Sequence, residues 1–346
     1  MRDQVLPAKN KAATIYDVAR LAQVSIKTVS MVLNNHSVVS AETRERVQTA
    51  IEALSYRPNR MARGLASNRS YMLGLFCDSA AVGSNYISQI QMAILTICQK
   101  EGYHLVMELV EPSRADLVAQ VDRLMNQSNL AGAILTPPLS DVPELIETLQ
   151  NRRQPVVRFS PLQPVAGFVD VDIDNVAAGY DLTKYLIGLG HRRIGFVQGP
   201  NTHADSSARY KGYRHALVDA DLPDCPELCR QGDYSYRSGM IAGEALLAIA
   251  DRPTAILASN DDMAAGVLAA SLQRNLKVPD DLSIAGFDDS PFATAMWPRL
   301  TTCRQPIAEM TEAAVSALIH HGADKPTTIT FPHKIIARES TAIPRR

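Results

Sequence analysis

The first 56 residues contain three segments with a helical pattern of apolar positions, separated by polar turns. Thr14, Ser25 and Ser40 each precede one segment, where a hydroxyl can accept a hydrogen bond from a free N–H group of the first helical turn. The apolar positions that share a face are Ile15, Val18, Ala19 and Ala22 in the first segment, Val29, Val32 and Leu33 in the second, and Val47, Ala50, Ile51 and Leu54 in the third. The pattern predicts three short helices around a common core, the first two forming a helix-turn-helix over residues 14–34.

The outer side of the predicted second helix has a composition that suits DNA binding. Small or hydroxyl-bearing residues accompany one long cation there, and the set is Ser25, Ile26, Lys27, Thr28 and Ser30. On such a helix, hydroxyls and amides bind phosphates while one or two longer side chains reach base edges in the major groove. A helical hairpin that only packs against the rest of the protein is the alternative interpretation.

The segment after the third helix is basic and only marginally helical. Pro58 ends the helix, because the residue before a proline is pushed out of the helical conformation. Residues 59–66 then include two arginines, the helix-weakening Gly64 and, near the end, the large apolar residue Leu65. Such a segment could become ordered on DNA and insert Leu65 between base pairs from the minor groove, or it could be a plain interdomain linker.

From residue 71 onward, short apolar runs alternate with helical runs. The strand-like runs are YMLGLFC, YHLVMELV, GAILTPP, PVVRFS, RIGFVQGP, AILASN and SIAGFDD. Alternation at this spacing is typical of parallel sheets with helices on both faces. About 275 residues of this pattern exceed one open sheet of ordinary size. We therefore predict an α/β core of two similar lobes, with ligands bound outside the carboxyl ends of the strands.

Charge is distributed unevenly along the chain. Residues 1–70 contain eleven lysines and arginines and five acidic residues, whereas the remainder contains 24 basic and 31 acidic residues. A basic N-terminal unit on an acidic body is expected when only the first unit meets a polyanion. The sequence has no apolar leader and no apolar run long enough to span a bilayer, which predicts a cytoplasmic protein without membrane association.

The sequence gives little sign of metal binding or catalysis. The five cysteines are interpreted as reduced thiols, and the one close pair, Cys225 and Cys229, lacks further ligands at a metal-site spacing. The sequence also lacks the nucleophile-elbow, phosphate-loop and HExxH motifs. His203, Asp205 and Ser206 lie together in THADSS, but a polar loop explains them as well as a catalytic triad does. We therefore predict no enzymatic activity, no metal and no cofactor.

Six motifs, in their order along the chain, resemble those of the LacI/GalR family of transcription regulators. They are TIYDVARLAQVSIKTVS, VSAETRERVQTAIEALSYRPNRMARGLA, GHRRIGFVQGP, AILASNDDMAAG, LSIAGFDDS and LTTCRQP. The resemblance implies a helix-turn-helix headpiece, a hinge helix and a two-lobed effector-binding core similar to periplasmic binding proteins. The implied boundaries are 1–57 for the headpiece, 58–70 for the hinge and 71–346 for the core, with an N-lobe of about 71–171 and 302–325 and a C-lobe of about 172–301 and 326–346.

The resemblance also implies which residues meet the operator. Ile26 and Lys27 correspond to positions that select operator bases, and Leu65 matches an intercalating hinge leucine. Met31 corresponds to a further reading position, where an apolar contact is expected because methionine cannot donate a hydrogen bond. The predicted DNA-contacting set is Thr14, Tyr16, Ser25, Ile26, Lys27, Thr28, Ser30, Met31, Asn34, Asn59, Arg60, Ala62 and Leu65.

For the effector site, the resemblance implies a guanidinium, an amide and a carboxylate in one pocket. Arg209, Asn260 and Asp288 match these positions, and together they can donate hydrogen bonds to a polyol and accept them from it. Local capping, turn formation or ion pairing is the alternative role for each. The other predicted effector contacts are an aromatic that packs on the ligand, a further polar position and two pocket walls, namely Tyr234, Ser160, Tyr86 and Trp297.

The resemblance further implies a homodimeric regulator that binds a pseudo-palindromic double-stranded DNA operator. We expect a repressor of carbohydrate uptake or catabolism genes, controlled by a sugar bound between the lobes. The sequence has no leucine-heptad tail after KIIARES, which favours a dimer over a tetramer. The alternatives are a nucleobase or other non-sugar effector and, on the two-lobed core alone, a solute-binding protein.

Overall fold

The computed structural model shows two compact units, Met1–Arg69 and Ser70–Arg346. It describes residues 13–33, 38–56, 70–152, 154–320 and 327–345. Within these residues, the N-terminal unit contains the helices α1 (Ile15–Leu21), α2 (Ile26–Leu33) and α3 (Ala41–Ala53). The side chains buried between them are Val18, Ala19, Ala22, Val29, Val32, Val47 and Ala50. The apolar faces predicted from the sequence are therefore confirmed.

Side chains at the helix starts satisfy backbone groups in the N-terminal unit. The N–H group of Thr14 donates to Asp17 Oδ2 at 2.9 Å, and the N–H group of Asp17 donates back to Thr14 Oγ1 at 3.4 Å. Ser25 Oγ accepts from the N–H group of Thr28 at 3.1 Å. These caps fix where α1 and α2 begin, as the sequence predicts.

Gln23, in the turn between α1 and α2, has a φ of 53°, in the left-handed region that glycine adopts without strain. We expect Gln23→Gly to stabilise the N-terminal unit by about 1 kcal/mol or less, because relief of this strain is partly offset by the greater freedom of glycine in the unfolded chain. Amide hydrogen exchange of α1 and α2 would measure the change. Gln48→Gly, at an exposed interior position of α3, is the matched control and should destabilise the unit by a similar amount. Equal losses of stability in the two variants would show that the backbone at Gln23 is not strained.

The C-terminal unit has two sheets, and six strands of the described chain form the first of them in the order β11-β5-β4-β3-β1-β2, all parallel. Its strands are β1 (Met72–Asp78), β2 (His104–Val110), β3 (Gly132–Leu135), β4 (Val156–Phe159), β5 (Val169–Ile173) and β11 (Thr327–Phe331). Its helices are α4 (Asn85–Glu101), α5 (Leu117–Gln127), α6 (Pro143–Gln150) and α12 (Ile307–His320). This sheet and its helices form the first lobe.

The second lobe repeats this arrangement, with the strand order β12-β10-β9-β8-β6-β7 among the described residues. Its strands are β6 (Ile194–Gln198), β7 (Cys229–Gln231), β8 (Ala255–Ala258), β9 (Ser283–Asp288), β10 (Thr301–Arg304) and β12 (Lys334–Ile336), of which β12 is antiparallel to β10. Its helices are α7 (Asn175–Gly188), α8 (Ala204–Asp219), α9 (Tyr236–Leu247), α10 (Asp261–Gln273) and α11 (Pro291–Ala295). The predicted α/β core of two similar parallel-sheet lobes is confirmed.

The chain crosses between lobes at points that differ slightly from the predicted ones. Residues 302–304 belong to β10 in the second sheet, and residues 327–331 form β11 in the first sheet. Both predicted crossings near the C-terminus therefore fall a few residues early. The physical reason is that a short strand acquires its sheet from the strand it pairs with, β9 for β10 and β5 for β11, and its own sequence does not specify that partner. In the described part of the chain, none of the helices combines the length and the hydrophobicity needed to span a membrane.

Candidate functional site

A cavity of about 370 Å³ opens between the two lobes, beside the carboxyl ends of strands from both sheets. The first lobe supplies the end of β1, the loop after it and the start of α4, including Asp78 and Tyr86. The second lobe supplies residues from the ends of β6, β8 and β9 and the starts of α8, α9 and α10. Five of the seven predicted effector contacts line this cavity: Tyr86, Arg209, Tyr234, Asn260 and Asp288.

Arg209 is 3% exposed and has four partners in the second lobe. Its Nε donates to Asn175 Oδ1 at 2.9 Å, and its Nη1 donates to the carbonyl oxygen of Ser259 at 2.7 Å. Its Nη2 lies 3.3 Å from Asp205 Oδ2, and its guanidinium carbon lies 3.8 Å from the ring centroid of Phe287. A guanidinium has five N–H donors, so these contacts fix the side chain and leave donors for a ligand.

Asp205 is a cavity residue that the sequence interpretation placed in a polar loop. The structure begins α8 at Ala204, which puts Asp205 in the first helical turn, where a carboxylate is stabilised by the helix dipole. Asp205 Oδ2 accepts a hydrogen bond from the Tyr234 hydroxyl at 3.0 Å as well as the Arg209 contact. The sequence signal was available, because Asp205 and Arg209 have the i, i+4 spacing of a helical ion pair.

Tyr234 packs between the ends of two strands. Its φ is 70°, and a Cβ atom at Gly199 would lie 2.4 Å from its ring, so Gly199 is needed to make room for the aromatic side chain. The ring of His203 meets that of Tyr234 edge-on, with centroids 5.4 Å apart. Burial lowers the pKa of His203, which favours its neutral form. Tyr234 therefore presents a fixed aromatic wall held by Asp205.

Asn260 and Asp288 combine local structural contacts with a place in the cavity wall. Asn260 caps α10, since its Oδ1 accepts from the N–H group of Met263 at 2.9 Å, and its Nδ2 donates to the carbonyl oxygen of Tyr234 at 2.9 Å. Asp288 ends β9 with a φ of 111° and accepts from Gln305 Nε2 at 2.7 Å. Burial raises the pKa of Asp288 well above its usual range, against the opposing effect of Arg209, so this carboxyl can be protonated and donate.

The other two predicted effector contacts lie outside this cavity. Ser160, 3% exposed, lines a second cavity of about 330 Å³, which also contacts Asp172, Asn175 and Asp205. Because Asp205 borders both cavities, the second cavity adjoins the first. The structure does not bring Trp297 to either cavity: this side chain is 76% exposed, because it follows the short helix α11 at the surface of the second lobe.

Asp172, at the end of β5, should make the stability of the core depend on pH. Burial raises its pKa to about 6, although Ser160 and the N–H group of Ile173 donate hydrogen bonds to it. Between about pH 4 and pH 6, the folded protein therefore holds a proton on Asp172 that the unfolded chain has already lost. The contribution of Asp172 to the stability of the fold is fully present below about pH 4 and is lost as the pH rises through about 6.

Asp172→Asn cannot ionise at this position. As the pH rises from 4 to 7, we expect its free energy of unfolding to increase by on the order of 2 kcal/mol relative to that of the wild type. Urea unfolding of both proteins across this pH range would measure the difference. Asp221→Asn, at an exposed loop position, is the control and should follow the wild-type profile. Parallel profiles for wild type and Asp172→Asn would contradict the raised pKa.

One hydrogen bond joins the two lobes at the rim of the first cavity. Asn85, the first residue of α4, donates from Nδ2 to Asp262 Oδ1 near the start of α10. Asp262 also lines the cavity. A ligand that approaches Asp262 therefore meets a group that already holds the two lobes together.

The predicted DNA-contacting residues of the N-terminal unit divide by exposure. Tyr16, Ile26 and Lys27 are exposed, and Ile26 and Lys27 form the first turn of α2. Thr28, Ser30 and Met31 are half-buried, which limits the surface that Met31 can present. Thr14 and Ser25 are exposed helix caps. The predicted contacts Asn34, Asn59, Arg60, Ala62 and Leu65 lie outside the described residues.

Comparison with known proteins gives matches in both units. Residues 14–59 match a model described as bacterial regulatory proteins, lacI family, and residues 183–341 match a periplasmic binding protein-like domain. Catabolite control protein A of Priestia megaterium is 33% identical over 336 residues, which cover 95% of this chain and 99% of that protein. The ribose operon repressor of Escherichia coli K12 is 35% identical over 318 residues, covering 89% of this chain and 92% of the repressor.

Solved structures show the same likeness. The lac repressor dimer bound to operator and the anti-inducer ONPF superposes with a TM-score of 0.79 and 29% sequence identity, covering 96% of this chain and 100% of that chain. The similarity therefore extends over both units of the sequence.

Proposed function

We propose, from the premise that this chain belongs to the LacI family of bacterial regulatory proteins, that it represses genes for carbohydrate uptake or catabolism under the control of a sugar. As a member of this family, it is a DNA-binding transcriptional repressor with a small-molecule effector domain. The observation that carries the sugar proposal is the cavity between the lobes, where Arg209, Tyr234 and Asp288 meet.

The chemistry of this cavity suits a ring with several hydroxyl groups. Carboxylate oxygens accept from hydroxyls, whereas the free N–H donors of Arg209 and the carboxyl of Asp288 can donate to them. The aromatic rings of Tyr86 and Tyr234 supply flat surfaces for the C–H face of a pyranose or furanose. The ribose operon repressor, a relative named for a sugar, supports the same proposal.

For DNA recognition, we propose that α2 enters the major groove with Ile26 and Lys27 toward the bases. These side chains are exposed at the start of the helix, and Lys27 can donate to a guanine. The lac repressor structure contains a dimer on its operator, so we further propose that two copies of this chain bind a pseudo-palindromic site.

Gel retardation with the full-length protein and its own upstream DNA tests this function. We expect specific, salt-dependent binding that one or more sugars modulate, whereas random duplex of equal length should bind weakly under all conditions. The absence of specific retardation, both with and without a panel of sugars, would overturn the proposal.

Lys27→Ala should weaken operator binding about tenfold or more and relax the base preference at one position of each half-site. Arg46→Ala removes the same charge from an exposed position on α3 and is the matched control, which should change operator and random-duplex binding by the same small factor. Titration of both variants against operators with single base changes would measure the effect. If Lys27→Ala lowers operator and random-duplex binding equally, Lys27 contacts only the phosphate backbone.

A further inference from the structure

We infer that the effector carries no negative charge, so that the site binds neutral or amine-bearing sugars and rejects sugar phosphates and sugar acids. This inference rests on the proposed function and concerns the same cavity. It follows from the charges that line the cavity between the lobes and the second cavity that adjoins it.

Carboxylates far outnumber cationic groups in the lining of both cavities. Those of the first cavity are Asp78, Asp205, Asp233, Asp262 and Asp288, and the second cavity shares Asp205 and adds Asp172 and Asp174. Arg209 is the one lysine or arginine among the residues that line either cavity, all of which belong to the described part of the chain. The charge of Arg209 is already matched by Asp205 at 3.3 Å. His203 adds no positive charge at neutral pH, because burial lowers its pKa.

Three of the other carboxylates accept hydrogen bonds from neutral groups. Asp78 Oδ1 accepts from the N–H group of Ala80 at 2.8 Å, and Asp233 Oδ1 accepts from that of Ser235 at 2.9 Å. Asp262 accepts from the amide of Asn85. These hydrogen bonds stabilise the carboxylates without cancelling their charge. Burial raises the pKa of Asp172, Asp262 and Asp288. The other four carboxylates of the two linings, Asp78, Asp174, Asp205 and Asp233, still outnumber the single guanidinium, so the cavities keep a negative field.

This field acts differently on ligands of the same shape. A phosphate or carboxylate group on the ligand would lie among like charges in a partly desolvated space, where repulsion is screened less than in water. A hydroxyl keeps its hydrogen bonds to the same carboxylates, and an ammonium group is attracted to them. The lining therefore selects by charge as well as by hydrogen bonding.

Isothermal titration of the full-length protein with matched ligand sets tests the inference. Each set is a neutral hexose (glucose, galactose or mannose) with its 2-amino sugar, its 6-phosphate and its uronate. We expect the anionic members of a binding set to bind at least 100-fold more weakly than the neutral parent, and the amino sugar to bind at least as well. A phosphate or uronate that matches its parent would overturn the inference while leaving the proposed function intact. If no sugar binds and a non-sugar metabolite releases the operator, the proposed function fails, and the inference fails with it.

Asp233→Asn separates charge from shape. Asparagine keeps an oxygen that can accept from the N–H group of Ser235, so the loop is retained while one negative charge is lost. We expect Asp233→Asn to raise the affinity for the anionic probes, relative to that for the neutral parent, at least threefold. In the wild type, higher salt should reduce the difference in affinity between neutral and anionic sugars. The control, Asp221→Asn, removes an exposed carboxylate from the same lobe outside both cavities, and should leave the affinities for neutral and anionic probes unchanged. Equal effects of Asp233→Asn on neutral and anionic probes would contradict selection by charge.

Discussion

Replacement of Arg209 by alanine should abolish the response to the effector and lower the free energy of unfolding of the core by about 3–5 kcal/mol. The stability loss is large because the substitution leaves a buried amide oxygen of Asn175, the carbonyl oxygen of Ser259 and the Asp205 carboxylate without their shared donor. The stacking of the guanidinium on Phe287 is also lost. The response fails because the same group faces the cavity.

Urea unfolding and gel retardation of the full-length protein, both at a temperature where the variant is folded, would measure these two effects. Arg214→Ala is the matched control, since Arg214 lies on the same helix, α8, and pairs with Asp224, but its side chain is 52% exposed. The free energy of unfolding of Arg214→Ala should fall by about 1 kcal/mol or less, and this variant should still respond to the effector. An Arg209→Ala protein that releases operator at the wild-type sugar concentration would remove Arg209 from the ligand site. Wild-type stability would contradict its structural role.

The sequence predicts most of the fold because periodicity reports burial on one face. The three-helix core of the N-terminal unit and seven of the core strands follow from this signal alone. An eighth strand, β12, falls within the strand-like run KIIARES, and the remaining four, β5, β7, β10 and β11, were not predicted. They are three to five residues long and, unlike the equally short β3 and β8, are not continuous apolar runs; β5, VDVDI, for example, alternates acidic with apolar residues.

The candidate site was predicted where motifs marked the ends of strong strands, and missed where a helix boundary was misplaced. Asn260 and Asp288 directly follow or end predicted strands, and both line the cavity. Asp205 was missed as a cavity residue because the sequence interpretation placed it in a polar loop, whereas α8 begins one residue before it, at Ala204. Asp172 was missed together with β5. Trp297, in contrast, was predicted to line the cavity but lies at the surface, because the sequence does not indicate which part of the protein a large aromatic side chain contacts.

The close crossing of α7 and α8 is what holds Asn175 against Arg209. A Cβ atom at Gly179 of α7 would lie 2.3 Å from the carbonyl oxygen of Arg209, and one at Gly212 of α8 would lie 2.1 Å from the carbonyl oxygen of Val176. Real side chains do not tolerate such distances to backbone atoms, so the two helices would have to move apart. Any such movement also separates Asn175, at the start of α7, from the guanidinium.

We therefore expect Gly179→Ala to lower the free energy of unfolding of the core by about 3 kcal/mol and to weaken effector binding at the same time. Gly188→Ala is a control on the same helix, because a Cβ atom there meets nothing within 4 Å. This control should be neutral or stabilise the protein by up to about 1 kcal/mol, since alanine favours the helix. Urea unfolding with a sugar titration on each variant would separate the two effects. Retention of both stability and sugar affinity in Gly179→Ala would show that α7 and α8 do not need this close approach to position Arg209.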